Sequence, residues 1–194
     1  MEQMIVAFEG PFSWPGVPGA PSVFDVDVRR KPGIYLWTVE RSDGFLVYYV
    51  GETGRSFDVR MFEHYKEHAA GAYHLYSPVE FAKGEKVPLW PGRYDSRDRR
   101  TARECVEQYA RLAPAIFELT HIYRFFLAPV ACDERPRRRI EASIWATLKA
   151  APGLAGSFQD DGIRYHPRRD DEPPITCSIE CPASLIGLPS SVSG

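Results

Sequence analysis

Two tyrosines, an arginine, a histidine and a distant acid have the types and spacing that breaking a phosphodiester would need. Gly33-Ile34-Tyr35 is followed by Tyr49-Val50-Gly51, with the two tyrosines fourteen residues apart. Arg60 and His64 come next, four apart, and Glu141 stands alone inside an otherwise apolar helical stripe. Cutting a phosphodiester takes an attacking water, neutralisation of charge building on the phosphate, and stabilisation of the departing oxygen. Arg60 suits the second task, because a guanidinium forms paired, planar hydrogen bonds to phosphate oxygens. Glu141 suits a divalent cation, a hard ion that prefers carboxylate and water oxygens and that stabilises a leaving oxygen. Tyr35, Tyr49 and His64 are then left to position or deprotonate the water. A tyrosine, with an unperturbed pKa near ~10, acts as a base only where a nearby cation lowers it.

Each residue also has a plainer reading. A strand tyrosine is commonly half-buried core with its hydroxyl satisfied. Arg60 and His64 on their own describe an exposed helix face, with Glu63 and Glu67 as solvated partners. Glu141 is harder to dismiss, since Ile144, Trp145 and Leu148 follow it at helical spacing and an ionised carboxylate on that stripe is costly unless paired with a cation. The neighbouring arginines are a structural alternative for that pairing.

Taken together, on consecutive strands, a following helix and a last helix, these residues resemble the GIY-YIG nuclease family. The resemblance covers roughly residues 32–156. It implies an α+β domain built on a small three-stranded antiparallel sheet flanked by helices, and a metal-dependent endonuclease acting on DNA. In that mapping Tyr35, Tyr49, Arg60, His64 and Glu141 are catalytic, and Glu141 holds one Mg²⁺ or Mn²⁺. Two departures stand out. The chain has no asparagine, where many members carry one after the glutamate helix; Gln159 and Ser157 are the substitutes. Glu52 stands where several members have a lysine, and its carboxylate would repel phosphate unless it is turned away or helps hold metal.

The elements that must position these groups follow from local pattern. Residues 1–31 carry repeated Pro and Gly (Pro11, Pro15, Gly16, Pro18, Gly19, Pro21) and are expected to be an irregular lead-in. Ile34–Val39 and Phe45–Val50 flank Ser42-Asp43-Gly44 and predict an antiparallel hairpin, apolar on both faces and therefore inside the sheet. Ser56 is the expected N-cap of a helix to about Ala70, with Phe57, Met61, Tyr65 and Ala69 as its core stripe. An insertion at about 76–100 predicts loop or short hairpin. A helix over 97–112 is expected next, with Ala102, Val106, Tyr109 and Ala113 at helical spacing and Pro114 ending it. Ile116–Leu127 predicts a third strand. A last helix from Asp133 or Glu134 to about Ala150 carries Ile140, Ile144 and Leu148 inward. Residues 157–194 are expected to be a tail with one apolar segment.

The chain has 194 residues, 44% apolar and 26% charged, within the range of a globular domain. Its net charge of −2 excludes a uniformly basic surface, so a nucleic-acid site must be a local patch. Arg93, Arg97, Arg99, Arg100 and Arg103 form one arginine cluster; Arg135, Arg137, Arg138 and Arg139 form another. Cys105, Cys132, Cys177 and Cys181 lack paired C-x-x-C spacing, which favours reduced thiols and a cytoplasmic setting. No signal peptide or membrane-spanning run is evident. Two rival classes remain: a nucleic-acid-binding module that does not cut, and a protein–protein interaction domain.

Overall fold

The computed structural model describes residues 2–93, 101–160 and 165–194. The chain runs β1 (Glu2–Ala7), β2 (Glu9–Phe12), a 3-10 turn (Asp27–Arg30), β3 (Gly33–Arg41), β4 (Gly44–Thr53), α1 (Phe57–Ala69), β5 (Leu75–Tyr76) and α2 (Pro78–Ala82). It continues through β6 (Pro88–Trp90), α3 (Ala102–Glu107), α4 (Tyr109–Ile122), β7 (Tyr123–Pro129), α5 (Glu134–Ala150), α6 (Leu154–Ser157), β8 (Ile175–Glu180), β9 (Leu185–Ile186) and β10 (Ser191–Ser193).

The chain is α+β, but the expected single three-stranded sheet is not what forms. Among the described residues there are ten strands in three sheets, and the main one is a curled, mixed, five-stranded half-barrel. Its order is β2-β7-β3-β4-β9. The expected strands supply its antiparallel centre, with β3 between β4 and β7. What the local pattern hid are the edges. Glu9–Phe12 in the Pro- and Gly-rich lead-in pairs with β7, and Leu185–Ile186 in the tail pairs in parallel with β4. The lead-in and tail also meet each other, because β8 pairs in parallel with β1 and antiparallel with β10. Strands as short as β9 and β10 have too few residues to show a period of two.

The third expected strand is also corrected. Ile116–Ile122 is helical, the end of α4, and only Tyr123 onwards is extended. Leu112, Ala115, Ile116 and Leu119 are the buried side of α4, a 3.6-residue period that outweighs the β-propensity of the aromatic run. Pro114 lies inside α4 instead of ending it. There it costs one rung of the ladder, to the Ala110 carbonyl. The helix break falls earlier, at Gln108, and a Thr101–Glu104 capping box starts α3. Residues 97–100 of the expected helix lie outside the described residues. Its expected inner stripe faces outward: Val106 is 73% exposed and Tyr109 47%.

The two faces of the central strands bury two cores. Tyr35, Trp37, Phe125 and Leu127 face α1 and α4, packing with Phe57, Met61 and Leu119. Ile34, Leu36, Val50 and Phe126 face α5, packing with Ile140, Ile144 and Leu148. Each of those fully buried α5 side chains contributes roughly 1.5–3 kcal/mol. Helix α1 starts after Ser56 as expected, but its buried residues are Phe57, Met61, His64 and His68, while Tyr65 is exposed. The helix is thus rotated so that imidazoles sit where Tyr65 and Ala69 were expected. No helix among the described residues is long and apolar enough to cross a membrane.

His68 has a measurable consequence. It is fully buried between Trp14 and Tyr123, with neither ring nitrogen in a well-formed hydrogen bond; the Ile116 backbone lies near without good geometry. Burial holds its pKa at about 4, below the ordinary 6.5. Between those values the unfolded chain takes up a proton that the folded chain refuses, so stability falls as pH drops from 6.5 to 4, by on the order of 3 kcal/mol. His68→Phe keeps the ring packing and removes the titration. Denaturant midpoints at pH 7 and 4.5 should lie closer together in the variant than in the wild type. His64 acts with the same sign, so the gap narrows and does not close. An unchanged gap would show that His68 is hydrated or paired.

Candidate active site

Both motif glycines are there for close approach. A Cβ on Gly51 would overlap the ring and hydroxyl of Tyr35. One on Gly33 would overlap the Ala128 carbonyl of β7 and meet Phe57 Cζ of α1 at 2.9 Å. The bare Gly51 therefore lets the Tyr35 ring lie across β4, and bare Gly33 lets β3, β7 and α1 close together. In the β3–β4 register Tyr35 stands opposite Gly51 and Trp37 opposite Tyr49, which puts both motif tyrosines on the α1 side of the sheet. Their ring centroids are 5.9 Å apart.

Helix α1 brings Arg60 and His64 onto the same hydroxyl. Arg60 Nε donates to Tyr35 Oη at 3.1 Å, and His64 Nε2 lies 2.7 Å from that oxygen. His64 Nδ1 in turn lies 2.9 Å from Tyr73 Oη. His64 is 3% exposed, so the plainer reading of an open helix face does not describe it. Burial first, and the Arg60 charge second, hold its pKa well below 6.5, so the ring is neutral. Tyr35 is fully buried, which pushes its pKa up, while Arg60 and a hydrogen bond from Tyr49 work the other way. Tyr49 is raised well above the usual tyrosine value, by burial and then by Tyr35. Burial opposes the charge on Arg60, while Tyr35, by charge and by hydrogen bond, and then Tyr49 and Tyr73 raise its pKa. Arg60 also meets Glu63 at 3.5 Å, a carboxylate held in a two-pronged contact by Arg55.

Glu141 reaches the site from the other face of the sheet, on α5. It is 8% exposed, and its pKa is pushed up to about 8. Burial is the main cause and the Glu52 carboxylate the next; the Glu52 backbone N–H, Arg138 and Arg60 offset part of it. Its charge acts on Tyr35 and Tyr49, so the acid belongs electrostatically with the tyrosine cluster. A buried carboxyl that resists ionising fits a divalent cation, which would supply the missing positive charge. No group of three or more His, Cys, Asp or Glu among the described residues could hold a metal. Glu141 with water ligands is the arrangement that the donors present would offer Mg²⁺.

Glu52 is turned to arginine. Arg137 Nε donates to it at 2.6 Å, and Arg138 lies 3.6 Å away and pairs with Glu134 at 2.6 Å. Arg137, expected on a nucleic-acid path, is instead a buried fastener. It also donates to the Cys132 carbonyl at 2.9 Å and lies against Gly54. Arg135 and Arg139 likewise bind the tail, at Glu172 and the Pro173 carbonyl. Arg138 is the one expected nucleic-acid contact on α5 whose side chain keeps substantial exposure. Arg103 is open to solvent beside Glu107. Arg97, Arg99 and Arg100 lie outside the described residues. Gln159, a candidate substitute for asparagine, is fully buried and donates to the Val47 and Ala155 carbonyls, and Ser157 donates to the Leu154 carbonyl. Both serve the junction after α5.

Tyr73 is a member of the cluster that no sequence motif marks. No local spacing rule links it to a histidine nine residues earlier. Comparison with protein-family models, with curated proteins and with solved structures gives no match for this chain.

Proposed function

We propose that the chain is a divalent-metal-dependent endonuclease of the GIY-YIG kind that hydrolyses DNA phosphodiester bonds. The observation that carries this reading is the Tyr35 hydroxyl held between Arg60 and His64. Core tyrosines need one hydrogen-bond partner; this one is given a cation and a neutral imidazole. Arg60 orients Tyr35 through Nε, makes its long contact to Glu63 through Nη1, and offers Nη2 to a phosphate oxygen. Tyr49, the less buried of the two tyrosines, faces the attacking water and passes hydrogen-bonding order inward to Tyr35 and His64. Glu141 would hold the metal, which when bound would polarise the phosphate and stabilise the leaving oxygen. Arg138 stands beside Glu52 and Glu141, placed to meet the strand.

The test is cleavage of supercoiled and branched DNA with Mg²⁺ or Mn²⁺, against chelator controls. Tyr35→Phe keeps the ring over Gly51 and removes only the hydroxyl. It should lower cleavage by about a hundredfold or more while DNA affinity and folding persist. A folded Tyr35→Phe protein that cuts like the wild type would return Tyr35 to the core. Wild-type protein that binds DNA in a salt-dependent way but cuts none of these substrates would favour the binding module instead.

A further inference from the structure

The hydrogen-bond inventory around His64 assigns each proton. Arg60 has only donors, so Tyr35 Oη accepts from it. The Tyr35 hydroxyl is fully buried and its own proton must go to an acceptor. His64 Nε2, at 2.7 Å, is a stronger base than the Tyr49 hydroxyl, which is itself free to donate to Tyr35. The imidazole is neutral and carries one N–H. If Nε2 accepts from Tyr35, that N–H is on Nδ1, and it donates to Tyr73 Oη at 2.9 Å.

We infer that Tyr73 is a positioning residue: by accepting the His64 Nδ1–H it locks the ring in the tautomer whose Nε2 receives the Tyr35 proton. The inference rests on the nuclease reading for its catalytic consequence, and on the hydrogen-bond geometry around a neutral ring for the tautomer. In the other tautomer Nε2 would donate to Tyr35, which would then face two donors with its own proton displaced toward Tyr49. The order of donors, Tyr35 to His64 to Tyr73, would be reversed, with Tyr73 donating to Nδ1. Which ring nitrogen is protonated is set by the bond that the other one makes, so the control lies with a side chain that need not touch the substrate. Tyr73 packs its ring against His64 and Trp37, so removing its hydroxyl leaves the packing in place.

Nitrogen-15 NMR of histidine-labelled free protein reads the tautomer directly, without DNA or metal. Wild-type His64 should show Nδ1 protonated and Nε2 bare. Tyr73→Phe should shift the ring toward the Nε2–H form and lower kcat on the order of 10- to 100-fold with KM unchanged. Tyr35→Phe should leave the Nδ1–H form intact, since Tyr73 still holds it. An Nε2–H ring in the wild type, or an unchanged tautomer in Tyr73→Phe whatever its rate, overturns the assignment. Wild-type protein with the Nδ1–H form that cuts no DNA overturns the nuclease reading and leaves the tautomer control standing.

Discussion

Glu141→Gln is expected to abolish metal-dependent cleavage and at the same time to stabilise the fold at neutral and alkaline pH. The amide fills the same space, so the apolar packing of α5 is kept. What is lost is the anion, and the wild-type protein keeps that anion at a cost. The Glu141 pKa is about 8 in the folded chain against an ordinary 4.5. Because the folded value is raised, the folded protein binds a proton more tightly than the unfolded one. The favourable effect is complete below pH 4.5 and disappears as pH rises through 8. Relative to wild type, the glutamine variant should therefore gain nothing at pH 4 and on the order of 4 kcal/mol above pH 8. Denaturant titrations of both proteins at pH 4.5, 7 and 8.5, without added metal, measure this. Added Mg²⁺ should raise the stability of wild type and leave the variant unmoved. Magnesium-dependent cleavage surviving in Glu141→Gln would mean that another group holds the metal. A variant stability gain equal at all three pH values would mean that the carboxyl is not resisting ionisation.

Arg60→Ala is expected to cost more than one function. The guanidinium is the proposed phosphate contact, and a charge-assisted contact used in the transition state is worth on the order of 3 kcal/mol, about a hundredfold in rate. It also donates through Nε to Tyr35, so its loss leaves that buried hydroxyl with one partner fewer. Arg60→Lys keeps a charge but has no Nε in the right place and no planar fork, so it should rescue poorly. Stability should fall by about 1 kcal/mol, because the Glu63 contact is long and that carboxylate keeps Arg55. Rates under single-turnover conditions, read beside thermal melts, separate the two effects. Cleavage by Arg60→Ala at the wild-type rate would remove the arginine from the mechanism.

Some of this was legible in the linear chain. The β3–β4 hairpin, α1 and α5 follow from patterns with short reach: apolar runs about a Gly-containing turn, a serine before an apolar period, and Ile140, Ile144 and Leu148 at helical spacing. The inward aim of Glu141 followed from the same period. The α4 stretch reads as a strand because Ile116–Leu127 is long and aromatic-rich, and a helix and a strand of that composition look alike until one face is buried. Val106 and Tyr109 hold helical spacing yet stay exposed, since an apolar stripe shows which residues could be covered, not which are.

The sequence by itself determined the inventory of chemical groups and their order: two tyrosines on paired strands, Arg60 and His64 on one helix, and Glu141 on another. It also determined that Gly33 and Gly51 would carry no side chain. Only the tertiary structure decided what those groups are worth. It made His64 a buried neutral base by closing the sheet over it, joined Tyr73 to it from a later turn, and set Glu141 beside Glu52. It also drew Arg137 inside while leaving Arg138 at the surface, one residue apart on the same helix. Ionisation and hydrogen-bond direction depend on desolvation and on partners brought from distant parts of the chain, and neither has a period that can be read along it.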